Sequence, residues 1–422
     1  MKTIYIFTED FPFGESETTF LSNELSFLSR KYKIVILCTS ATLNRSSIKN
    51  KNKGYDVIYV PMKKVDCLSF LWAMFSLFFD KDFNKEIQQI WFQKQLFWKR
   101  IIKSIYFYAQ GVFLFKDAMN CCNTIDENDL LYSYWYGPSA MAAIKIRNQT
   151  GCKVITRTHG YDLYNERVST TLRQPFKTLM DEKIDYIIFA CEYAKKYYLK
   201  HFAHSEHGKY RIGIIGAPKA DPKGNTSFDK NRESICLVSC STVSKIKRIH
   251  LIIDALSILD GYDIYWNHFG DGEMMNEIQE LAKEKLEKST TIHYSFEGQV
   301  TRERLYQFYQ ENDVDLFITT SESEGGCPIS IQEAMAFGIP TICTSVGGIT
   351  EMIDGNGWLL TSNNIPDELS ERIVEYINMK EKDVALMRKK AFDIWNAKYN
   401  SSKTGEAFLY FIDEIMERRK NR

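Results

Sequence analysis

The chain has 422 residues, with 54 lysines and arginines against 54 aspartates and glutamates, and it is 44% hydrophobic and 14% aromatic. A net charge of zero supplies no global field for holding a nucleic-acid backbone, so nucleic acid is excluded as a bulk partner. Nine prolines and 22 glycines leave no room for a large disordered or fibrous segment, and at roughly 150 residues per domain the length predicts two or three domains, each with its own core.

Short β-branched runs alternate with longer helical stretches, the pattern of parallel α/β sheets. In the first half, strands are predicted at 3–8, 33–39, 56–60, 129–133, 153–158 and 185–190, with helices over 17–30, 66–120 in pieces, 137–148 and 192–202. The N-terminus begins with strand-like alternation and lacks the apolar core of a signal peptide. The most apolar stretch, Leu68 to Phe79, is shorter than the about 20 residues that a bilayer crossing needs. A polar stretch, Ala217 to Ser234, then breaks the rhythm and reads as a linker. Strands resume at 235–240, 263–269, 291–295, 314–319 and 340–343, and amphipathic stretches at 381–398 and 404–420 close the chain. The ten cysteines lie mostly inside apolar runs without a repeated metal-ligand spacing, which predicts reduced, buried thiols in a cytoplasmic protein.

Open parallel sheets bind ligands beyond the carboxyl ends of their strands, so the strand-to-helix turns are the places to look for chemistry. The first turn, TEDFPFGESETTF, carries Gly14, which permits close backbone approach. Glu15, Glu17 and Glu24 either face an acceptor or serve the helix start by capping and dipole complementarity. In VITRTHGYDLY, His159 directly follows a strand, and Arg157 and Asp162 either join the site or support it through a salt bridge. SCSTVSKIKRIH, after the first strand of the second half, holds Thr242, Lys245, Lys247 and Arg248, and Gly270-Asp271-Gly272 follows the next strand.

The richest segment runs from Asp315 to Leu360. A buried strand leads into SESEGG, and Pro328 opens a helix bearing Glu333 that ends at Gly338. Free N–H groups at such a helix start suit a phosphate, and carboxylates such as Glu324 and Glu333 accept from vicinal sugar hydroxyls. Gly347-Gly348 opens a second predicted helix and is a second phosphate candidate. Three other features take structural readings. Asp313-Val314-Asp315 imitates a metal motif but begins a strand; His201, His204 and His207 sit at a helix end. The stretch from Asp80 to Asp117, with seven basic and four acidic residues, suits either core helices or an interfacial surface.

The segment from Glu324 to Glu351 resembles the donor-sugar signature of glycosyltransferase family 4, retaining enzymes of the GT-B fold. Glu324, Gly325, Glu333, Ala334, Met335, Ala336, Gly338, Pro340, Gly347, Gly348 and Glu351 all find counterparts. The spacing departs from the family's seven intervening residues, since Glu324 and Glu333 enclose eight; the additional residue falls in Gly325-Gly326-Cys327. Arg157, His159, Gly160, Tyr161, Asp162, Leu163 and Tyr164 match a second family pattern. A basic pair, Arg then Lys, is also usual; Lys247 matches the lysine, while Thr242 stands at the arginine position, so that either Lys245 or Arg248 compensates or Lys247 carries most of that charge.

The resemblance implies an α/β protein of two Rossmann-like doubly wound domains facing across a cleft. Their bounds are 1–216 for an acceptor-binding domain and 235–400 for a nucleotide-sugar domain, with 217–234 as linker and helix 404–420 packing back on the first domain. It implies His159, Lys247 and Glu324 as catalytic, and Gly14, Arg248, Gly272, Gly325, Gly326, Cys327, Pro328 and Glu333 as donor-binding, with Arg157, Asp162 and Thr242 in support. A nucleotide-diphosphate sugar is the co-substrate, with no metal and no other cofactor. The acceptor is a glycan or lipid-linked molecule in bacterial surface polysaccharide synthesis. The location is cytoplasmic, with peripheral contact at the inner membrane face. Two other readings stay open: a sugar-nucleotide epimerase on the same scaffold, and a non-catalytic nucleotide-sugar or glycan-binding subunit.

Overall fold

The β-branched runs form two all-parallel sheets, and the helical stretches between them supply the long crossovers that parallel pairing requires. The computed structural model describes residues 2–14, 17–40, 54–77, 79–92, 97–122, 124–165, 175–203, 208–218, 234–259 and 261–417. Two compact units result: Met1–Gly213 with Gly405–Arg422, and Ile214–Thr404.

The first unit holds β1 (Thr3–Thr8), β2 (Lys33–Cys38), β3 (Asp56–Tyr59), β4 (Leu130–Ser133), β5 (Lys153–Arg157), β6 (Tyr186–Phe189) and β7 (Tyr210–Ile212) in the order β3-β2-β1-β4-β5-β6-β7. The second holds β8 (Ser234–Cys240), β9 (Asp263–Phe269), β10 (Ile292–Gly298), β11 (Leu316–Thr319), β12 (Thr341–Thr344) and β13 (Gly357–Leu360) in the order β10-β9-β8-β11-β12-β13. Both therefore reverse direction once, between β1 and β4 and between β8 and β11. That reversal is where a doubly wound sheet opens a crevice for ligand.

Strands β7 and β13 were not predicted, since YRI has an arginine at the centre of its three residues and GWLL opens on a glycine, so neither is a β-branched run. The linker stretch lies, from residue 219 to 233, outside the described residues. Helix ends follow local chemistry. Pro138 starts the helix Pro138–Thr150 and Gly151, at φ 78°, closes it in the left-handed conformation. Thr301 caps Arg302–Glu311 by accepting from the Arg304 N–H. The stretch predicted at 381–398 divides into the helix Glu381–Ile394 and a π turn, Trp395–Tyr399. None of the ten cysteines is in a disulfide; five are buried, but Cys67 and Cys121 are exposed, against the reading of buried thiols.

The core of the first unit takes Ile4, Ile6, Leu21, Ile34 and Ile36 together with Phe408, Ile412, Ile415 and Met416 of the last helix, Ser401–Glu417. Inside this apolar environment lies a full ion pair. Arg157, fully buried, donates through Nη2 to Glu24 and through Nε to the Tyr132 hydroxyl at 2.8 Å. Burial pushes the Glu24 carboxyl up, and Arg157 pulls it back. Glu24 is thus no acceptor ligand, which corrects that alternative for it, and Arg157 is a structural cation. Removing one partner leaves a buried charge uncompensated. Glu24→Ala is expected to cost about 3–5 kcal/mol in urea unfolding, with much of the loss recovered in a Glu24→Leu/Arg157→Met double variant; a loss below about 1 kcal/mol would refute the structural role.

Candidate functional site

In the second unit the loops after β8 and β11 are fastened to each other. Arg248 adopts the left-handed conformation at φ 50° and ψ 44°, which carries its guanidinium to the carbonyls of Thr320 (2.8 Å) and Ser321 (3.2 Å). Thr320 returns a hydrogen bond from its hydroxyl, with the carbonyl of Arg248 at 3.0 Å, and the Glu322 N–H donates to the Ile246 carbonyl at 2.8 Å. Across this seam Lys247 Nζ donates to Glu324 Oε1 at 2.5 Å, with both side chains partly accessible. Of the two cations offered in place of Thr242, Arg248 is held by backbone carbonyls and Lys245 is exposed in the 3-10 turn Lys245–Lys247. Thr242 itself is exposed, between Ser241, whose N–H donates to the Phe269 carbonyl, and Val243, whose N–H donates to that of Asp271.

Gly325, Gly326, Cys327 and Pro328 form the approach to the helix Ile329–Ala336, with Pro328 in the N-cap position. This helix follows β11, one of the two switch-point strands, and the N–H groups of its first turn have no partner within the helix. Gln332 braces the loop by donating to the Cys327 carbonyl at 2.9 Å. Gly347, at φ 54°, runs so close beneath that a Cβ there would lie 2.0 Å from the Glu324 carbonyl oxygen, so only glycine fits. The predicted helix at Gly347 is instead a five-residue 3-10 turn, Gly347–Glu351. That length gives no α-helical N-terminus there, and the second phosphate candidate loses its basis. The Gly272 N–H donates to the Asp271 carboxylate at 2.7 Å, and a Cβ at Gly272 would lie 2.4 Å from the Val243 carbonyl oxygen.

Glu333 is buried on the same helix and is met by Arg302 Nε at 2.9 Å. Burial raises its carboxyl pKa, while Arg302 and Tyr306 oppose the rise. Arg302 and Tyr306 were missed from sequence, because nothing local in TRERLYQFY points to a glutamate 31 positions on. Asp315 accepts from the Cys236 N–H at 2.8 Å and from the Tyr376 hydroxyl, and no group of three metal-ligating side chains occurs among the described residues.

In the first unit, the corresponding crevice lies between β1 and β4. Glu17, fully buried, accepts from the N–H groups of Glu9, Asp10 and Phe11 and from Trp135 Nε1 at 2.6–2.9 Å. It is the organiser of the loop that ends at Gly14, whose N–H donates to the Asp10 carbonyl, rather than a ligand facing outward. Glu15 lies outside the described residues, as do His204 and His207; His201 stacks on Tyr197.

His159 follows β5 and lies partly buried between the rings of Tyr134 and Trp135, with centroids at 4.9 and 4.3 Å. Its Nε2 lies 3.0 Å from the Tyr134 carbonyl, which can only accept, so Nε2 carries the proton. Asp162 accepts from the backbone N–H of His159 (2.7 Å) and of Tyr136 (2.7 Å), fixing the turn. Burial raises the Asp162 carboxyl and lowers the nearby Lys177 ammonium, each partly offset by the other's charge. Asp162 is therefore a supporting residue, and Trp135, which the sequence did not single out, is the aromatic neighbour of the imidazole.

Two parallel sheets of this strand order, with their polar side chains gathered at the switch points, define the GT-B architecture of glycosyltransferases. The crystal structure of Anabaena HepE in complex with UDP has this fold, with a TM-score of 0.69 at 14% identity, over 98% of this chain and 100% of that one. Residues 222–391 match the family model described as Glycosyl transferases group 1. This match spans the Lys247–Glu324 seam, so the likeness of the second unit is to the group 1 glycosyl transferases. An uncharacterised glycosyltransferase of Methanocaldococcus jannaschii is 26% identical over 256 residues, 60% of this chain and 66% of that protein. The O-antigen biosynthesis glycosyltransferase WbnH of Escherichia coli is 31% identical over 157 residues, 37% of this chain and 42% of that protein. The chain thus spans less than two thirds of the length of either sequence relative.

Desolvation first, and the charge of Arg157 second, push the His159 imidazole down to about 3 from its ordinary 6.5. The folded state then binds fewer protons than the unfolded chain between those values, so His159 contributes a loss of stability as pH falls through that window. Nitrogen-15 NMR is expected to show a neutral Nε2–H tautomer from about pH 5 to 8, whereas a titration near 6.5 would remove this assignment.

Proposed function

We propose that the protein is a retaining hexosyltransferase that moves a sugar from a nucleoside-diphosphate donor to a glycan or lipid-linked acceptor in bacterial surface polysaccharide synthesis. The observation that carries this reading is the Lys247–Glu324 pair at the second switch point, beside the first turn of Ile329–Ala336. A cation, a carboxylate and helix N–H groups at one crevice match the three parts of a nucleotide sugar: diphosphate, hydroxyls and phosphate oxygens. The relative WbnH is named for O-antigen biosynthesis, and HepE is described in complex with UDP and with UDP-glucose. Both support the donor class and the pathway class.

In this reading the donor occupies the β8–β11 crevice. Glu324 accepts from sugar hydroxyls and Glu333 from the ribose. Departure of the nucleoside diphosphate leaves an oxocarbenium-like sugar, as in glycoside hydrolysis. Lys247, released from Glu324, stabilises the charge that develops on the leaving phosphate. The acceptor hydroxyl attacks from the same face and gives its proton to that phosphate, so configuration is retained without a protein nucleophile. His159 serves in this reading through its backbone carbonyl or its neutral ring, and adds no positive charge. No step calls on a metal.

A panel of nucleotide sugars in thermal-shift assays is expected to contain a donor that stabilises the chain, by about 2.7 kcal/mol at 100 times its dissociation constant. With that donor, Lys247→Ala is expected to lower kcat/KM by about 10²–10³, and His159→Ala to lower kcat while donor binding persists. Full turnover in Lys247→Ala or Glu324→Ala would overturn the site.

A further inference from the structure

We propose that Arg302 is a positioning residue that selects a ribonucleotide in the second unit, by holding the Glu333 carboxylate charged and oriented to accept from the vicinal hydroxyls of a ribose. That Glu333 meets the ribose rests on the transferase reading; the tie between Arg302 and Glu333 does not. Thr301 caps the helix Arg302–Glu311, so Arg302 stands in its first turn, and Tyr306, four positions on, shares its face. Both reach the carboxylate: Arg302 Nε donates to Glu333 Oε1 at 2.9 Å, and the Tyr306 hydroxyl is a second donor. Tyr306 has one proton to give, and the Pro218 carbonyl, at 3.5 Å, competes for it. Arg302 is therefore the constant partner. The helix that bears the carboxylate is fastened as well, because Gln332 accepts from the Ala217 N–H at 2.9 Å and donates to the Cys327 carbonyl at 2.9 Å.

An ionised carboxylate has about four lone-pair sites. Arg302 takes one of them and Tyr306 at most a second, and the remainder suit a pair of vicinal hydroxyls. The buried pair of the first unit differs in this respect: the Arg157 and Glu24 side chains are closed off at 1% and 4% exposure, whereas those of Arg302 and Glu333 keep 29% and 8%. Burial pushes the Glu333 carboxyl up, and the Arg302 charge is the main influence that opposes it. The other titratable groups around it are Tyr306 and Tyr309, on the helix of Arg302, and Cys240, at the end of β8; burial pushes each of them up, so they stay neutral. Lys247, which also faces Cys240, is paired with Glu324. Without Arg302 the carboxyl takes up a proton nearer neutral pH, and a lone-pair site becomes an O–H donor. Its bonds to a ribose then fall from the charge-assisted class to the weaker neutral one.

The experiment is calorimetric titration of the full chain, from about pH 6 to 8, with whichever of ADP, GDP, CDP and UDP it binds and with the 2′-deoxy form of that nucleotide. Arg302→Met is expected to bind the ribonucleotide about tenfold more weakly than the wild type at pH 6 and to lose preference over the deoxy form. The gap is expected to narrow toward pH 8, where the Glu333 carboxyl ionises unaided. Arg302→Lys, which keeps the charge, is expected to restore most of the affinity. In a Glu333→Gln background, Arg302→Met is expected to have no further effect and no pH dependence, because it acts through that carboxylate. Arg302→Gln carries the same comparison where Arg302→Met does not fold. Three results overturn the inference alone: equal affinity of the neutral variant and the wild type, a loss of the same size at every pH, or an additional loss in the Glu333→Gln background. Binding of none of the four diphosphates by the wild type overturns the transferase reading and this inference with it.

Discussion

The seam between the loops after β8 and β11 is the constraint on which the rest of the second unit's site depends. A doubly wound sheet parts its loops at the switch point, and a crevice that merely gapes would not hold two charged side chains in register. Here Arg248 bridges the gap with two donations to carbonyls, and Thr320 and Ile246 return the connection. The left-handed backbone at Arg248 is unfavourable for a non-glycine residue by about 1–2 kcal/mol, and its hydrogen bonds offset that cost. The consequence is that Lys247 and Glu324, 77 positions apart, meet at 2.5 Å. Gly347 then closes the floor by letting a third loop approach the Glu324 backbone.

The first unit solves a different problem with buried charge. Arg157 and Glu24 neutralise each other inside an apolar core, and Glu17 gathers three loop N–H groups and the Trp135 indole. Glu24 comes from the helix that follows β1, Thr18–Leu28, and Glu17 from its N-cap position, yet each faces inward. His159 inherits its state from this surrounding: the cation behind it and the rings beside it disfavour a charged imidazole. A residue that could have been an acid or base is thereby held as a neutral hydrogen-bonding group.

Much of the fold was legible because parallel strands that are covered on both faces read as continuous apolar runs. TIYIFT, KIVILC and YIIF are such runs, and they became β1, β2 and β6. What stayed hidden was short or long-range. GWLL, which opens on a glycine, and YRI, centred on an arginine, are not β-branched runs and were recognised only once their neighbours were in place. Arg302 opposite Glu333, and Trp135 beside His159, are tertiary meetings with no local signature. The aromatic stretch before residue 118 was ambiguous because a hydrophobic helix shows the same sequence whether or not its outer face is covered; only the tertiary structure leaves Leu68, Leu71 and Phe75 exposed.

The sequence by itself determined the alternation of strand and helix, the parallel class that follows from it, and the glycines and prolines that end helices and open loops, because these depend on backbone conformation and near-neighbour periodicity. It also placed His159, Lys247, Glu324 and Glu333 at strand ends or in the helix just beyond one. Only the tertiary structure decided what each does there. It paired Lys247 with Glu324, committed Arg248 to carbonyls, turned Glu17 and Glu24 inward, and reduced the turn at Gly347 to a 3-10 segment. A side chain's charge is written in the sequence; its partner and its exposure are set by residues far along the chain.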